Sequence, residues 1–344
     1  MRMCNSLSLA VLVIVIVFTA LPCMLLAGSD DQSQADSSLG DMYWDMSDGV
    51  KLHFFAEGDG KIALLIHGGP GYPFEKPLPG LESLLDRYQF VYYHQRGCGQ
   101  STRPVDKFTS SNFMQNAGEA TRKLGLGRQL QDINEIRRIL GEEKLTIIGH
   151  SFGGFIAAMY AKDYPDHVRG LVLAAPANML VFPIEGESMY DQVKAYLPDS
   201  MKADFDDYTR RLFDFRDIFT KTDSELSVLN AEFVDYYKIA AEKKGFPIDI
   251  GFDKSAIGGW MTHGMYFSMG MQYDHRPALE EVTVPVLVLH GDQDFQTEAA
   301  SRTYVEVFPN ASFKLIEGAG HFIYKDSPGE FAKAVEAFLD SLDW

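Results

Sequence analysis

Cysteine is scarce in this chain, which has three among its 344 residues: Cys4, Cys23 and Cys98. Cys4 and Cys23 belong to an apolar N-terminal stretch, which leaves Cys98 as the single cysteine of the expected folded part. One cysteine excludes an intrachain disulfide there. No group of cysteines and histidines has the spacing of metal ligands, so the sequence predicts no metal and no other cofactor.

Positive charge is also in short supply, because 31 Lys and Arg residues face 48 Asp and Glu residues, for a net charge of −17 at pH 7. An acidic chain is a poor partner for nucleic acid, so we exclude that class of function. Hydrophobic residues make up 46% of the chain. This is enough for a sizeable core and fits one large α/β domain with an insertion.

The N-terminus contains a long apolar run from Leu7 to Ala27, and Arg2 is the one positive charge before it apart from the chain's amino group. We expect residues 1–27 to be a signal peptide, or alternatively an uncleaved membrane anchor, because about 20 apolar residues can span a bilayer. Residues 28–41 are polar and are expected to form a flexible tether. The protein is therefore expected to be exported, periplasmic or secreted, or anchored to a membrane.

Apolar runs alternate with segments of helical periodicity, which predicts an α/β fold with a mainly parallel sheet. Helices are expected near 127–140, from Ser151 onwards, and at the C-terminus. The alternation of strand-like and helix-like segments is interrupted between about 178 and 276, so we expect a cap inserted into a core formed by residues 42–177 and 277–344. The predicted strands are Lys51–Ala56, Ile62–Ile66, Phe90–Tyr93, Leu145–Ile148, Leu171–Ala174, Val286–Leu289 and Ser312–Ile316.

The most informative motif is Gly149-His150-Ser151-Phe152-Gly153, which directly follows the predicted strand Leu145–Ile148. A strand that ends in Gly-x-Ser-x-Gly and turns at once into a helix is a nucleophile elbow. Small flanking residues are needed because a Cβ would strike neighbouring backbone. The motif predicts that Ser151 is a nucleophile held at the carboxyl end of the sheet.

A serine nucleophile needs a base to take its proton and an acid to orient that base, in the chain order Ser, Asp or Glu, His. The strand Val286–Leu289 runs into an acidic turn, and we predict Asp294 from this turn as the acid, with Asp292 as the alternative. The strand Ser312–Ile316 runs into a glycine-rich turn that ends at His321, the predicted base.

The segment His67-Gly68-Gly69-Pro70-Gly71 follows the strand Ile62–Ile66 and predicts half of an oxyanion hole. We expect the backbone N–H of Gly69 to be the first donor, with Gly68 as the alternative. The second donor should be the N–H of Phe152, the residue after the nucleophile.

These motifs resemble those of the α/β-hydrolase superfamily and, within it, the proline iminopeptidase family, peptidase family S33. The segments that carry the resemblance are His67–Gly71, Gln95–Ser101, Gly149–Gly154, Gly291–Asp294 and Gly318–His321. The resemblance implies an α/β-hydrolase fold, with a mainly parallel, eight-stranded sheet flanked by helices and a mostly helical cap. It also implies that an acyl-enzyme on Ser151 releases an N-terminal proline or another residue from short peptides.

The chain departs from the family pattern at His94, where the family usually has Asp, and at the elbow, where it commonly has Gly-Gly-Ser-Trp-Gly. Family members hold the free ammonium of the substrate with acidic residues of the cap. The resemblance therefore makes Glu185 and Glu232 candidate substrate-binding residues. Trp260, as an aromatic residue of the expected cap that would line an apolar pocket, and Gly68 are two further candidates. Glu187 and Glu225 are further acidic candidates.

The sequence as a whole predicts a serine hydrolase that takes a small peptide, or a small ester or amide, as its substrate. An aminopeptidase similar to proline iminopeptidases is the leading prediction. Two other functions stay open, namely a carboxylesterase or lactonase with the same triad, and a non-catalytic binding protein on a hydrolase scaffold.

Overall fold

Ten strands and eleven α-helices follow one another along residues 42–248 and 253–344, the residues that this computed structural model describes. The strands are β1 (Met42–Asp45), β2 (Lys51–Glu57), β3 (Lys61–Ile66), β4 (Tyr88–Tyr93), β5 (Leu145–His150), β6 (Val168–Ala174), β7 (Val181–Phe182), β8 (Tyr273–Asp274), β9 (Val286–Gly291) and β10 (Ala311–Ile316). The helices are α1 (Phe113–Leu124), α2 (Leu126–Ile139), α3 (Phe152–Asp163), α4 (Met189–Tyr196), α5 (Asp199–Leu212), α6 (Asp223–Lys244), α7 (Trp260–Met269), α8 (Arg276–Leu279), α9 (Glu298–Val307), α10 (Ile323–Asp326) and α11 (Pro328–Asp340).

Eight of these strands form one sheet in the order β1-β2-β4-β3-β5-β6-β9-β10. The six strands from β4 to β10 in this order run parallel, and β2 pairs antiparallel with both β1 and β4. The predicted mainly parallel, eight-stranded sheet is thereby confirmed. In a parallel sheet the carboxyl ends of the strands meet at one edge, and ligands of open α/β sheets bind outside that edge.

The central strands are apolar along their whole length because helices cover both faces of the sheet. All six residues of β5 are buried, and so are all six of β9. Such strands give continuous hydrophobic runs in the sequence. Each of the seven predicted strands therefore coincides with a strand of the sheet, and the observed strands are one to three residues longer.

The sequence patterns did not indicate the first strand, β1. Of its four residues only Trp44 is buried, where its ring stacks on Phe54 with a centroid distance of 4.1 Å. One inward side chain is too little for an alternating pattern to emerge. The short ribbon of β7 and β8, with two residues in each strand, was missed for the same reason.

The chain between β6 and β9 contains the helices α4 to α7, in the segment predicted as a cap. The longest of these, α6, begins with a capping box between Thr222 and Glu225 and ends at Gly245, which has φ of 85°. The helices α4 and α6 pack through the rings of Tyr190 and Phe233, at a centroid distance of 4.9 Å. The helix α6 therefore has strong start and stop signals of its own.

The loop after β4, from Gln95 to Ser101, is anchored by a buried ion pair. The guanidinium of Arg96 donates to both carboxylate oxygens of Asp132 in α2, and both side chains are almost fully buried. The thiol of Cys98 is buried as well, and it contacts Nε2 of His67 at 3.5 Å. Burial raises the pKa of this thiol far above its usual value.

The predicted signal peptide or anchor, residues 1–27, and the predicted tether, residues 28–41, lie outside the described residues. Within the described part of the chain, no helix is long and apolar enough to cross a lipid bilayer.

Candidate active site

Ser151 lies on the sharp turn between β5 and α3. Its backbone has φ of 54° and ψ of −121°, a conformation that costs free energy for a residue with a side chain. The turn is tight, because a Cβ on Gly153 would lie 2.1 Å from the backbone oxygen of Ile66. The glycine of the elbow therefore lets α3 approach β3, and the strained turn presents the hydroxyl of Ser151 at the carboxyl edge of the sheet.

His321 and Asp294 come from the loops after β10 and β9. Nδ1 of His321 and Oδ2 of Asp294 are 2.8 Å apart, and both side chains are buried, with exposed fractions of 6% and 0%. The other oxygen of Asp294 accepts the N–H of Gln296 at 2.8 Å. With its Nδ1 proton held by the carboxylate, His321 has Nε2 available as a base.

The alternative acid, Asp292, is directed elsewhere. It is exposed, and its Oδ1 accepts the N–H of Gly318 at 2.8 Å. This bond ties the loop after β9 to the loop that carries His321. Asp292 thus helps to fix the position of the loop, while Asp294 contacts the imidazole.

Ser151 and His321 line the same cavity, which we call the histidine-side cavity. It encloses about 570 Å³, including its opening to solvent. Within the described residues the hydroxyl of Ser151 makes no hydrogen bond to another group. Catalytic hydrogen bonds are often long before substrate binds and tighten in the complex. The remaining walls are mainly aromatic and aliphatic: Tyr72, Phe74, Met189, Phe233, Val234, Tyr237, Phe322 and Tyr324.

His150, the residue before Ser151, also lines this cavity and contacts the loop of His321. Its Nε2 lies 2.8 Å from the backbone oxygen of His321. A carbonyl oxygen can only accept, so Nε2 of His150 carries the proton and donates. Complete burial lowers the pKa of His150 well below its ordinary value, which keeps this ring neutral. Sequence reasoning missed this role, because it depends on a contact between residues 171 positions apart.

The peptide that joins Gly68 to Gly69 is held by two hydrogen bonds to its carbonyl oxygen. The donors are the N–H of Tyr72 and Nδ1 of His67, each at 3.1 Å. Nδ1 of His67 must carry the proton, because Nε2 accepts the N–H of Gln95 at 3.1 Å. In a trans peptide the N–H points opposite to the carbonyl. The N–H of Gly69 is therefore turned away from these partners, and it donates to no acceptor within residues 42–248 and 253–344.

The second predicted oxyanion donor, Phe152, is the first residue of α3. The N–H groups of the first helical turn have no acceptor inside the helix. They also form the positive end of the helix dipole, which favours negative charge nearby. Phe152 and Gly69 both line a second cavity next to Ser151. The geometry thus suits two backbone donors around an oxygen that becomes negative.

Residues of the predicted cap form hydrogen bonds with the loop that contains Gly69 and Pro70. The hydroxyl of Thr262 donates to the backbone oxygen of Pro70 at 3.0 Å. The hydroxyl of Tyr72 donates to the backbone oxygen of Asn230 at 2.6 Å, and the N–H of Gly258 donates to Gly71 at 2.8 Å. The loop position therefore depends on α6, on α7 and on the residues just before α7.

The second cavity, which we call the cap-side cavity, encloses about 760 Å³ including its opening. It shares Ser151, Gly69, Tyr72, Met189 and Phe233 with the histidine-side cavity. The residues found only in the cap-side cavity include three tyrosines and several neutral polar side chains: Asn178, Ser188, Tyr190, Tyr208, Asn230, Thr262, Tyr266 and Gln296. Of the residues that the structure describes, no Asp, Glu, Lys or Arg lines either cavity.

The sequence profile of the alpha/beta hydrolase fold matches residues 63–328. The chain belongs to this family. The predicted α/β-hydrolase fold and the predicted resemblance to this family are thus confirmed, and membership of the family indicates that the protein is a hydrolase.

The relatives of this alpha/beta hydrolase include proline iminopeptidases. The enzyme of Heyndrickxia coagulans is 25% identical over 295 residues, which cover 84% of this chain and 94% of the relative. The enzyme of Saccharolobus solfataricus is 22% identical over 296 residues, with coverage of 83% and 87%. The crystal structure of proline iminopeptidase from Mycobacterium smegmatis matches with a TM-score of 0.55 at 18% identity, covering 88% of this chain and 98% of that chain. This last likeness shows a common fold.

Three of the predicted substrate-binding residues of this alpha/beta hydrolase lie away from both cavities. Glu185 and Glu232 form ion pairs with Arg276 and Arg211. Trp260 is completely buried, and its Nε1 donates to the backbone of Asp106 at 3.2 Å. Their charges and polar atoms are satisfied locally, so the structure places no substrate contact on them.

Gly68, the fourth predicted substrate-binding residue, does line the histidine-side cavity. The further acidic candidates lie elsewhere: Glu225 completes the capping box of α6, and Glu187 accepts a hydrogen bond from Gln192 on the surface. Within the described ranges, no group of three or more His, Cys, Asp or Glu side chains is placed to hold a metal ion.

Proposed function

We propose that this alpha/beta hydrolase is a serine hydrolase that forms an acyl-enzyme on Ser151. The observation that carries the proposal is the cavity shared by the strained Ser151 and by His321, with Asp294 bound to the far nitrogen of that imidazole. Nucleophilic catalysis needs a nucleophile, a base that takes its proton and an acid that orients the base, and these three groups stand here in that spatial order.

In this mechanism Oγ of Ser151 attacks the carbonyl carbon of the substrate while Nε2 of His321 takes the hydroxyl proton. The developing negative charge on the carbonyl oxygen is stabilised by the N–H groups of Gly69 and Phe152. His321 then gives its proton to the leaving group, and the acyl-enzyme forms. A water molecule, activated by the same imidazole, releases the acid and restores Ser151.

For the substrate, we propose an N-terminal prolyl or other aminoacyl group of a short peptide, as in an aminopeptidase. The support comes from the curated relatives named proline iminopeptidase, which this chain matches over most of their length. The pyrrolidine ring of proline is small and largely apolar, so it suits cavities whose walls are aromatic and aliphatic.

A carboxylesterase or lactonase is the second candidate, and a specific observation favours it. An aminopeptidase must hold a free ammonium, yet no carboxylate among the described residues lines either cavity. Burying an ammonium without an opposite charge is costly. A neutral ester would enter the same cavities without that cost.

The test uses the purified protein, with Ser151→Ala as control. A fluorophosphonate probe should label the wild type at Ser151 and leave the variant unlabelled. Prolyl-naphthylamide, its N-blocked form, alanyl-naphthylamide and a 4-nitrophenyl ester are then compared. Turnover of prolyl-naphthylamide that is lost on blocking the amine supports the aminopeptidase, whereas ester turnover alone supports the second candidate. Absence of labelling in folded protein would reject the serine mechanism and favour a binding protein.

We also propose that the protein is exported or membrane-anchored, on the basis of the apolar run from Leu7 to Ala27. Fractionation of the producing cells, with mass spectrometry of the N-terminal peptide, tests this. A cleaved N-terminus near Gly28 would support a signal peptide. An intact N-terminus in the membrane fraction would support an anchor, and an intact N-terminus in the cytoplasm would reject both.

A further inference from the structure

The two cavities at Ser151 differ in which catalytic groups they contain. The histidine-side cavity is lined by His321 and His150, but not by Phe152. The cap-side cavity is lined by Phe152, but by neither histidine. The proposed base and one proposed oxyanion donor therefore line different cavities, which have Ser151 in common.

The chemistry of acyl transfer assigns a role to each side. His321 must give a proton to the leaving atom, so that atom must come within hydrogen-bond reach of the imidazole. The carbonyl oxygen must meet the N–H groups of Gly69 and Phe152, which fixes the rotation of the tetrahedral carbon about its bond to Oγ. With the oxygen and the leaving group fixed, the acyl group has one direction left, away from His321.

The walls found only in the histidine-side cavity are dominated by apolar carbon. Besides the histidines they include Phe74, Val234, Phe322 and Tyr324, all with side chains that are at least nine-tenths buried. A flat aromatic or branched aliphatic group would bury the most surface against such walls.

The cap-side cavity contains a polar group that lacks a partner. The side chain of Tyr208 is 1% exposed, and within the described ranges its hydroxyl makes no hydrogen bond. Tyr190 and Tyr266 line the same cavity. A hydroxyl with no partner in a cavity wall is satisfied when a ligand brings an acceptor or a donor.

We infer that the cap-side cavity binds the acyl portion of the substrate and that the histidine-side cavity binds the leaving group. The acyl portion carries a hydrogen-bonding atom that meets the hydroxyl of Tyr208. The leaving group is an apolar, preferably aromatic, alcohol or amine. This inference rests on the proposed serine mechanism, and it adds the substrate class.

Two substitutions by phenylalanine change one cavity each. Val234→Phe adds bulk to the histidine-side cavity, since Val234 lines that cavity alone. Ile184→Phe adds bulk to the cap-side cavity, because Ile184 lines that cavity and not the histidine-side cavity. Tyr208→Phe removes one oxygen and keeps the ring, and Val234→Leu is a milder change for use if Val234→Phe fails to fold. Each variant is first checked by circular dichroism and by fluorophosphonate labelling.

The substrates vary one side at a time. Phenyl acetate and 2-naphthyl acetate share the acetyl group and differ in the leaving group. 4-Nitrophenyl butyrate and 4-nitrophenyl methoxyacetate share the leaving group, and their acyl chains differ by one oxygen atom in place of one CH₂ group. Val234→Phe should lower the 2-naphthyl to phenyl ratio of kcat/KM about tenfold, because overpacking rejects the larger group. It should leave the deacylation rate of the acetyl-enzyme unchanged, since no leaving group is then present.

Tyr208→Phe should lower the methoxyacetate to butyrate ratio of kcat/KM by about three- to tenfold, the worth of one neutral hydrogen bond. Ile184→Phe should lower kcat/KM for butyrate relative to acetate esters, whatever the leaving group. The assignment is overturned if Val234→Phe discriminates by acyl group and Ile184→Phe by leaving group, or if the ratios do not move. A wild-type protein that labels with the probe but hydrolyses none of these esters also overturns it, whereas absence of labelling rejects the serine mechanism itself.

Discussion

Nε2 of His150 donates a hydrogen bond of 2.8 Å to the backbone oxygen of His321. The residue that precedes the proposed nucleophile therefore holds the backbone of the proposed base. The contact joins the end of β5 to the loop after β10, two segments that are far apart in sequence. Burial keeps the ring of His150 neutral, so it would not repel the positive charge that His321 acquires in the proposed mechanism.

We expect His150→Leu to lower kcat by about 10- to 100-fold with a smaller change in KM, because misplacing a catalytic group by 1 Å can cost about 10²-fold. His150→Gln retains an N–H donor and should recover part of the loss. Steady-state kinetics and the pH profile of kcat/KM check this. Equal activity of His150→Leu and the wild type would show that the contact does not position His321.

The two acids of the loop after β9 should differ sharply. Asp294→Asn is expected to lower kcat by about 10⁴-fold, since an amide no longer holds the imidazole in the correct tautomer. Asp292→Asn is the matched control from the same turn, and it should stay within a few-fold of the wild type because Asp292 bonds Gly318 instead. Comparable losses in both variants would contradict the assignment of Asp294.

Gly68 lies so close to Ser151 that even a methyl group at this position should interfere. A Cβ at this position would lie 2.8 Å from the Cβ of Ser151 and 3.3 Å from its Oγ. We expect Gly68→Ala to lower kcat about 10- to 100-fold by displacing the oxyanion loop. Gly127→Ala in α2 serves as control, because its Cβ meets nothing within 4 Å. Full activity of Gly68→Ala would exclude this close packing.

The ion pair between Arg96 and Asp132 should matter for stability. Asp132→Ala removes the fully buried partner of Arg96 and leaves it only the partly exposed Asp48. The free energy of unfolding should therefore fall by about 3 kcal/mol, the lower end for breaking a buried pair. Lys333→Ala breaks a pair that is exposed on both sides and should change little. Urea unfolding of both variants tests this, and similar midpoints for the two would refute it.

Stability should fall in weak acid, and His263 is one cause. Burial lowers the pKa of His263 from 6.5 to about 4. Between these values the unfolded chain takes up a proton that the folded chain does not, so stability is lost as the pH falls from 6.5 towards 4. The loss from one such group is at most about 1.4 kcal/mol per pH unit. Urea unfolding at pH 7.5 and pH 5 should show a smaller difference for His263→Gln than for the wild type, and an equal difference would argue against this role.

The sequence predicted the sheet well because its central strands are buried on both faces and therefore appear as apolar runs. It also led to Asp294 and His321, which contact each other, and to Ser151, which lines the same cavity as His321. The positions of Ser151, Asp294 and His321 follow from local turns at strand ends, and such turns leave glycine and acidic residues at fixed offsets.

The residues of the predicted cap that line the cavities could not be predicted in the same way. They reach the cavities from helices whose relative positions depend on tertiary packing, which periodicity does not encode. Glu185 and Glu232 were candidates because they are acidic, but each is neutralised by an arginine that is distant in sequence. Tyr208 gave no local signal, because buried aromatic residues look alike whether they fill a core or line a cavity.

The burial of Cys98 has a practical consequence for spectroscopy. Its thiol is inaccessible, and burial raises its pKa, so it should not react with maleimides in the folded protein. A cysteine introduced at Val228, which is 65% exposed on α6, would then be the one reactive thiol in a chain that lacks residues 1–27. A single fluorophore placed there would report how α6 moves when a substrate enters, without interference from a second dye.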